Sequence, residues 1–237
     1  MAATITLQNA INFAQAFCQL RPLTGVGGIT NEPALTIANQ VKQFILGAPF
    51  AWRWNRASVS FTTVAGTQDY AQAVSDLGWL EKASVKDSNV NEFEIDLKLV
   101  LSKSSEQSQP QHVAAQLDDN AGNVTFRLLP VPDGVYTVTL TYQKKATLFT
   151  ELTGTWAPIP DELSYLYQKG FLAMALELAD DPRAGFETQL FLRQVIAANA
   201  GLKDSEKNIF LEGRLVNERQ QQGELLGVQQ GRASRGA

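Results

Sequence analysis

The sequence predicts an α+β fold: a helical bundle built from the N- and C-terminal helices, with an antiparallel β-sheet or sandwich block inserted between them. Three observations lead there. Apolar residues recur at helical spacing up to about Gly47 and again after Asp161, whereas between about Ala57 and Lys145 the spacing changes to alternation. Neither helical end carries enough partners to close a core alone, so the economical arrangement packs both ends together. The implied division is 1–56 with 146–217 for the bundle, 57–145 for the β block and 218–237 for a flexible tail.

The first helix spans residues 6–20, "TLQNAINFAQAFCQL", with Leu7, Ile11, Ala14 and Cys18 on one stripe, Phe13, Phe17 and Leu20 beside it, and "RP" ending the run. A glycine-rich link leads to a second helix, in which Ile37, Val41, Phe44 and Ile45 share a face and Gly47 is placed to terminate it. In the β block, "NEFEIDLKLVL" sets Phe93, Ile95, Leu97, Leu99 and Leu101 on one face against Glu94, Asp96 and Lys98. "GNVTFRLLPVPDGVYTVTLTYQ" reads as a hairpin: Val124, Phe126 and Leu128 alternate, "VPDG" supplies turn chemistry, and Tyr136, Val138, Leu140 and Tyr142 alternate back. With "SVSFTTV" and "GWLEKASV" the block holds about six strands. Residues 102–111, "SKSSEQSQPQ", read as a polar loop.

Helical signals return after "WAPIPDEL", with Asp161 as N-cap and "LSYLYQKGFLAMALELA" apolar on nearly every side, which marks a helix enclosed by neighbours or another subunit. Asp181 caps a fourth helix, with Pro182 in its first turn and Phe186, Leu190, Phe191 and Ile196 along it, and Gly201 stops it. A fifth helix over 203–221 carries Ile209, Phe210 and Val216. The closing "QQQGELLGVQQGRASRGA" cannot pack a core alone.

The 237 residues suit one large domain or two small ones, and 44% hydrophobic with 19% charged residues is ordinary globular composition. A formal charge of −4 argues against binding nucleic acid by neutralising phosphates. The lone Cys18 reads as a small buried hydrophobe and allows no disulfide within the chain. "MAATITLQNAINF" lacks the pattern of a signal peptide and no stretch is long enough for a membrane span, so the expectation is a soluble protein made in the cytoplasm.

Catalytic chemistry has little to work with. The single histidine, His112, reads as a solvated loop residue, and the pairs Asp118–Asp119 and Asp180–Asp181 read as turn and cap residues without calcium-loop spacing. "GVGG" at Gly25 to Gly28 lacks the Gly-Lys-Ser/Thr of a phosphate loop and links two helices. The expectation is no enzyme, no metal and no cofactor.

The densest signal is "APFAWRWNR", at the outgoing seam of the insertion. If extended, Trp52, Trp54 and Arg56 point one way while Arg53 and Asn55 point the other. Trp52, Arg53, Trp54 and Arg56 are candidates for a packing anchor between bundle and sheet, for a subunit contact, or for base stacking; arginine and tryptophan are enriched at interface hot spots.

In order, "PFAWRWNR", "TVAGTQDYAQAVSDLGWLEKASV", "LLPVPDGVYTVTLTYQKK" and "WAPIPDELSYLYQKGFLAMALELADDPR" resemble the head-to-tail connector proteins of tailed bacteriophages, the adaptor or neck proteins that include the tail tubular protein A group. The resemblance spans roughly residues 35 to 215. It implies a helical bundle with a β insertion, in a dodecameric ring of the virion neck that joins the portal protein to tail or nozzle proteins. It also implies no enzymatic activity, no cofactor and no membrane, and a channel through which DNA passes without specific binding. In similar adaptors the C-terminal segment reaches into the portal; the matching stretch follows Asn217 and contains Arg219, Leu225, Leu226, Arg232 and Arg235. A tail that orders only on docking suits that role. An acidic chain suits a channel along which DNA must slide. A rival reading is a carbohydrate- or receptor-binding module of the phage particle, with Trp79 or Trp156 as a sugar platform, and a third is a cell-envelope hydrolase.

Overall fold

The computed structural model describes residues 3–18, 22–25, 30–89, 91–118 and 122–199. The expected fifth helix, the stop at Gly201 and the whole 218–237 segment lie outside them, as do residues 26–29 of the glycine-rich link.

Among the described residues there are four short helices: α1 (Leu7–Cys18), α2 (Ala34–Leu46), α3 (Ser164–Leu178) and α4 (Ala184–Ala198). The amphipathic spacing of the first two places Leu7, Ile11 and Ala14 of α1 and Ile37, Val41 and Ile45 of α2 in the interior. Helix α3 packs on α1, α2 and α4, which explains its apolar circumference. Gly170 lies at the centre of this packing: a Cβ there would sit 2.7 Å from Val41 and 2.8 Å from Phe191. Neither predicted aspartate caps its helix. Asp161 opens a 3₁₀ turn, Asp161–Leu163, and its carboxylate accepts hydrogen bonds from Thr4 N (2.9 Å), Thr4 Oγ1 (2.6 Å) and Ile5 N (3.3 Å), fastening the N-terminus to the start of α3. Asp181 accepts from Arg183 N at 2.9 Å in the turn before α4, and Pro182 lies in that turn rather than in the helix.

The strands are β1 (Arg56–Thr62), β2 (Asp69–Ala73), β3 (Leu77–Lys86), β4 (Glu92–Leu97), β5 (Gln107–Ser108), β6 (His112–Asp118), β7 (Asn123–Leu129), β8 (Val131–Pro132) and β9 (Thr137–Lys144). Seven of them form one sheet in the order β1-β9-β3-β4-β6-β7-β2, and β5 and β8 form a separate parallel pair. The two edge strands are consecutive in sequence and are joined by only six residues, 63–68, so the sheet curls back on itself. Phe61 of β1 stacks on Tyr70 of β2 at 5.1 Å across the gap, and the Tyr70 hydroxyl donates to Thr67 O at 2.7 Å. The alternating side chains Ala83, Val85, Ile95, Val113, Val124, Phe126, Leu128, Val138 and Leu140 fill the interior.

This architecture overturns the expected helical bundle with an inserted antiparallel block. A nearly closed seven-stranded, barrel-like sheet is the main body, and the described helices are short elements of 12, 13, 15 and 15 residues. The sheet is mixed, because β4 and β6 run parallel, with Asp96 opposite His112. The expected hairpin between Val124 and Tyr142 does not form: β7 pairs with β6 and β2, β9 pairs with β1 and β3, and "VPDG" carries the chain across to the other side of the barrel. Strand β4 ends at Leu97, which leaves Leu99 exposed although Leu101 is buried. Residues 102–111 include β5.

Candidate functional site at the helix–barrel joint

The tryptophan motif leaves α2 and enters β1. Residues Arg53–Asn55 form a 3₁₀ turn, closed by Asn55 N donating to Trp52 O at 3.0 Å, so the extended alternation is not what is observed. The turn buries Trp52 and Asn55, half-buries Trp54 and leaves Arg53 and Arg56 at the surface. Trp52 and Trp54 stack on each other at 5.2 Å and 25°. Rings continue into the helices: Trp52 to Phe50 at 6.5 Å, Phe50 to Phe44 at 5.6 Å and Phe44 to Phe191 at 5.4 Å. Tilted and offset pairs of this kind add to the stabilisation from the area that they bury.

Hydrogen bonds fix this row to three other elements. The Trp52 indole N–H donates to Ile45 O at 2.7 Å at the end of α2, Asn55 Nδ2 donates to Lys144 O at 2.8 Å on β9, and Asn199 Nδ2 donates to Ala51 O at 3.2 Å just beyond α4. A polar relay runs beside them. Arg56 donates through Nε to Glu81 Oε2 at 2.8 Å and through Nη2 to Oε1; Gln143 Nε2 also donates to Glu81 Oε2 at 2.8 Å, and Gln143 Oε1 accepts from Trp52 N at 3.2 Å. Burial opposes the charge on Glu81, yet the hydrogen bonds from Arg56 and Gln143 hold its carboxyl below the usual range, and the bond to Glu81 raises Arg56 in turn.

Strand β3 aims Glu81 at this relay by two irregularities, between Leu77 and Trp79 and between Leu80 and Lys82. Glu81 is the extra residue of the second, so its side chain leaves the regular alternation. At the first, a Cβ on Gly78 would come within 2.8 Å of Gln143 O, so this approach of β3 to β9 requires glycine.

The joint also carries a cavity of about 450 Å³, lined by Lys42, Asn55, Lys144, Lys145, Phe149 and Glu151 among others. Lys42 is only 3% exposed, with its Nζ 4.4 Å from the centre of the Phe149 ring. Burial pulls its ammonium down to about 8.

Of the predicted anchor residues, Trp52, Trp54 and Arg56 therefore meet at one place, while Arg53 stands at the surface of the same turn. Arg219, Leu225, Leu226, Arg232 and Arg235 lie outside the described residues. Lys42, Glu81, Gln143 and Asn199 join the site with no sequence signal pointing to them, because each is a polar residue whose burial depends on distant partners. His112 is not a loop residue: it opens β6, with Nδ1 3.5 Å from Asp96 Oδ2 on β4. Neither tryptophan offered as a sugar platform is exposed, since Trp156 is fully buried and stacked on Tyr167 at 4.5 Å, and Trp79 is half-buried with its indole nitrogen enclosed. Among the described residues, no group of three or more His, Cys, Asp or Glu is placed to hold a metal ion, and no helix is long and apolar enough to cross a membrane.

Among the described residues, two of the exposed apolar patches stand away from the joint, Leu99 and Val100 after β4 being a further exposed pair. Leu178 and Phe186, 62% and 69% exposed, flank the turn between α3 and α4. Val64 and Val135 lie in adjoining loops at the end of β1 and β9 remote from Arg56, where Thr63 N donates to Tyr136 O at 2.8 Å.

Comparison with curated proteins gives no match. The sequence matches the family model described as SU10 adaptor protein over residues 3–208. That span takes in the four helices, the barrel and the joint between them, and the chain belongs to the SU10 adaptor protein family, a family of phage adaptors.

Proposed function

We propose that this protein is a structural virion component that assembles as a dodecameric ring, joins the portal to the tail and lines the channel through which DNA leaves. The family match over residues 3–208 carries this reading, and it implies a structural role rather than an enzymatic one. The geometry of the joint supports it. A component that transmits load between two assemblies needs its parts fixed to one another, and stacked rings with a polar relay tie α2, β1, β3, β9 and the end of α4 together. In this reading Trp52, Trp54 and Arg56 act inside the subunit, and the exposed apolar patches face neighbouring copies.

The segment 218–237, with Arg219, Leu225, Leu226, Arg232 and Arg235, is proposed to dock in the portal, and the net charge of −4 favours passage of DNA without retention. Mixing the purified chain with its portal and imaging the product tests the proposal. A ring at the portal's narrow end is expected with the full chain, and none with residues 218–237 removed. A portal left bare by the full chain contradicts the adaptor reading, and attachment of the truncated chain contradicts the docking role of the tail.

A further inference from the structure

We propose that the groove between the start of α2 and the end of α3 is a docking site for a segment of the same chain, residues 202–216, which lies in it as a helix antiparallel to α2. The groove has a volume of about 630 Å³ and is lined by Pro33, Ile37, Met174 and Leu178; among the described residues its charged lining is acidic, Glu32 and Glu177. Ile37 is buried, whereas Met174 is half-buried and Leu178 is 62% exposed. Apolar side chains that open onto a groove call for an apolar cover, and the carboxylates beside them call for cations.

Residues 202–216 supply both. They overlap the fifth helix that the sequence predicts and lie outside the described residues. At 3.6 residues per turn, Leu202, Ile209 and Val216 fall within about 40° of one another, with Phe210 beside them, and Lys203, Lys207 and Arg214 form a basic row on the flank of Phe210. Starting point and length also fit. The described chain ends at Asn199, whose Nδ2 donates to Ala51 O at the joint, just beyond the end of α2. Helix α4 brings the chain there from the α3–α4 turn over 15 residues, about 22 Å. A helix over 202–216 returns the same distance, about 22 Å, and so reaches the level of Ile37, Met174 and Leu178 with Arg214 toward the two carboxylates. A helix this short is marginal in water and takes its stability from the apolar surface on which it lies. Phe186 is not among the residues lining the groove and stays open to a neighbouring copy. The docking is complete within one chain and involves no portal, so its test is independent of the adaptor reading.

Thiol cross-linking of the full chain tests this. Thr36, which lines the groove, and Gly213 both stand roughly 15 Å from the joint in this arrangement. With Cys18→Ser, Thr36→Cys and Gly213→Cys, a short bismaleimide is expected to give a one-chain product at least about ten-fold faster than when Lys103→Cys on the barrel replaces Thr36→Cys. Absence of that product, or equal rates for the two pairs, overturns the proposal; a two-chain product overturns it in favour of a second copy's segment in the groove. Hydrogen exchange on the full chain without cysteine changes gives a second readout. Amides of 202–216 are expected to exchange at least about ten-fold more slowly than in a free peptide of that sequence, and this protection should be lost in Leu178→Lys, which removes an apolar contact and repels the basic row. Leu178 is exposed, so the variant keeps its fold, as a thermal melt verifies. Unprotected amides in the wild type, or protection undiminished in folded Leu178→Lys, overturn the assignment of the segment to this groove.

Discussion

Lys42 shows how a single residue sets a measurable property of this protein. Its ammonium titrates near 8 in the folded chain, against roughly 10.4 in an unfolded one. Below pH 8 both states are charged and the folded state bears the full desolvation cost. Between pH 8 and about 10.4 the unfolded chain holds a proton that the folded chain has released, so stability rises with pH, by up to roughly 3 kcal/mol. Tyr136, hydrogen-bonded to Asp133, and Tyr142, buried and bonded to Asp76, are pushed up to about 12, so their contribution is lost only as pH climbs through 10 toward 12. Urea unfolding at pH 7, 8, 9 and 10 is therefore expected to show wild type gaining stability across the series. Lys42→Met should be more stable than wild type at pH 7 and lack this rise; parallel profiles would contradict the assignment. Nothing in the sequence hints at this, since Lys42 reads as the polar position of an amphipathic helix. The neighbouring tryptophans announce themselves by composition alone, but the 3₁₀ turn that buries Asn55 beside them does not.

Elements show where alternation informs and where it is silent. Val124, Phe126 and Leu128 of β7 and Val138, Leu140 and Tyr142 of β9 do point into the core, as their spacing predicts. Alternation identifies the buried face but not the partner: two strands on opposite walls of a barrel carry the same pattern as two that pair. Helix limits are more legible, because amphipathic spacing is local; it predicts residues 6–20 for the first helix, and α1 covers Leu7–Cys18. The apolar circumference of α3 is legible as enclosure, and Gly170 is its most constrained point. Gly170→Ala gains about 1 kcal/mol in helix propensity. It also forces a methyl against Val41 and Phe191, both buried, and overpacking of this kind costs about 1–3 kcal/mol. The net expectation is a loss of up to about 2 kcal/mol, read as an earlier urea midpoint, with far-UV circular dichroism unchanged. A midpoint later than wild type would mean that α2 and α4 can move apart freely.

At the scale of the whole molecule, the fold separates what holds a subunit together from what it offers to others. The joint is largely buried, whereas two exposed apolar patches lie away from it: Leu178 and Phe186 at the turn between α3 and α4, Val64 and Val135 at the far end of the barrel. A ring needs two different complementary faces on every subunit, and patches on separate parts of the molecule meet that need. In the adaptor reading, Phe186→Ser should leave the monomer's thermal melt nearly unchanged, because an exposed side chain contributes little to folding. It should weaken ring formation at the portal by roughly ten-fold or more if the ring contact buries it as a hot spot. Arg56→Ala should do the reverse, lowering the melt through loss of the Glu81 relay while subunits that fold still assemble. Quantifying rings by imaging, alongside monomer melts, separates the two effects. Equal loss of both properties in both variants would show that this chain does not divide its internal bracing from its docking surface.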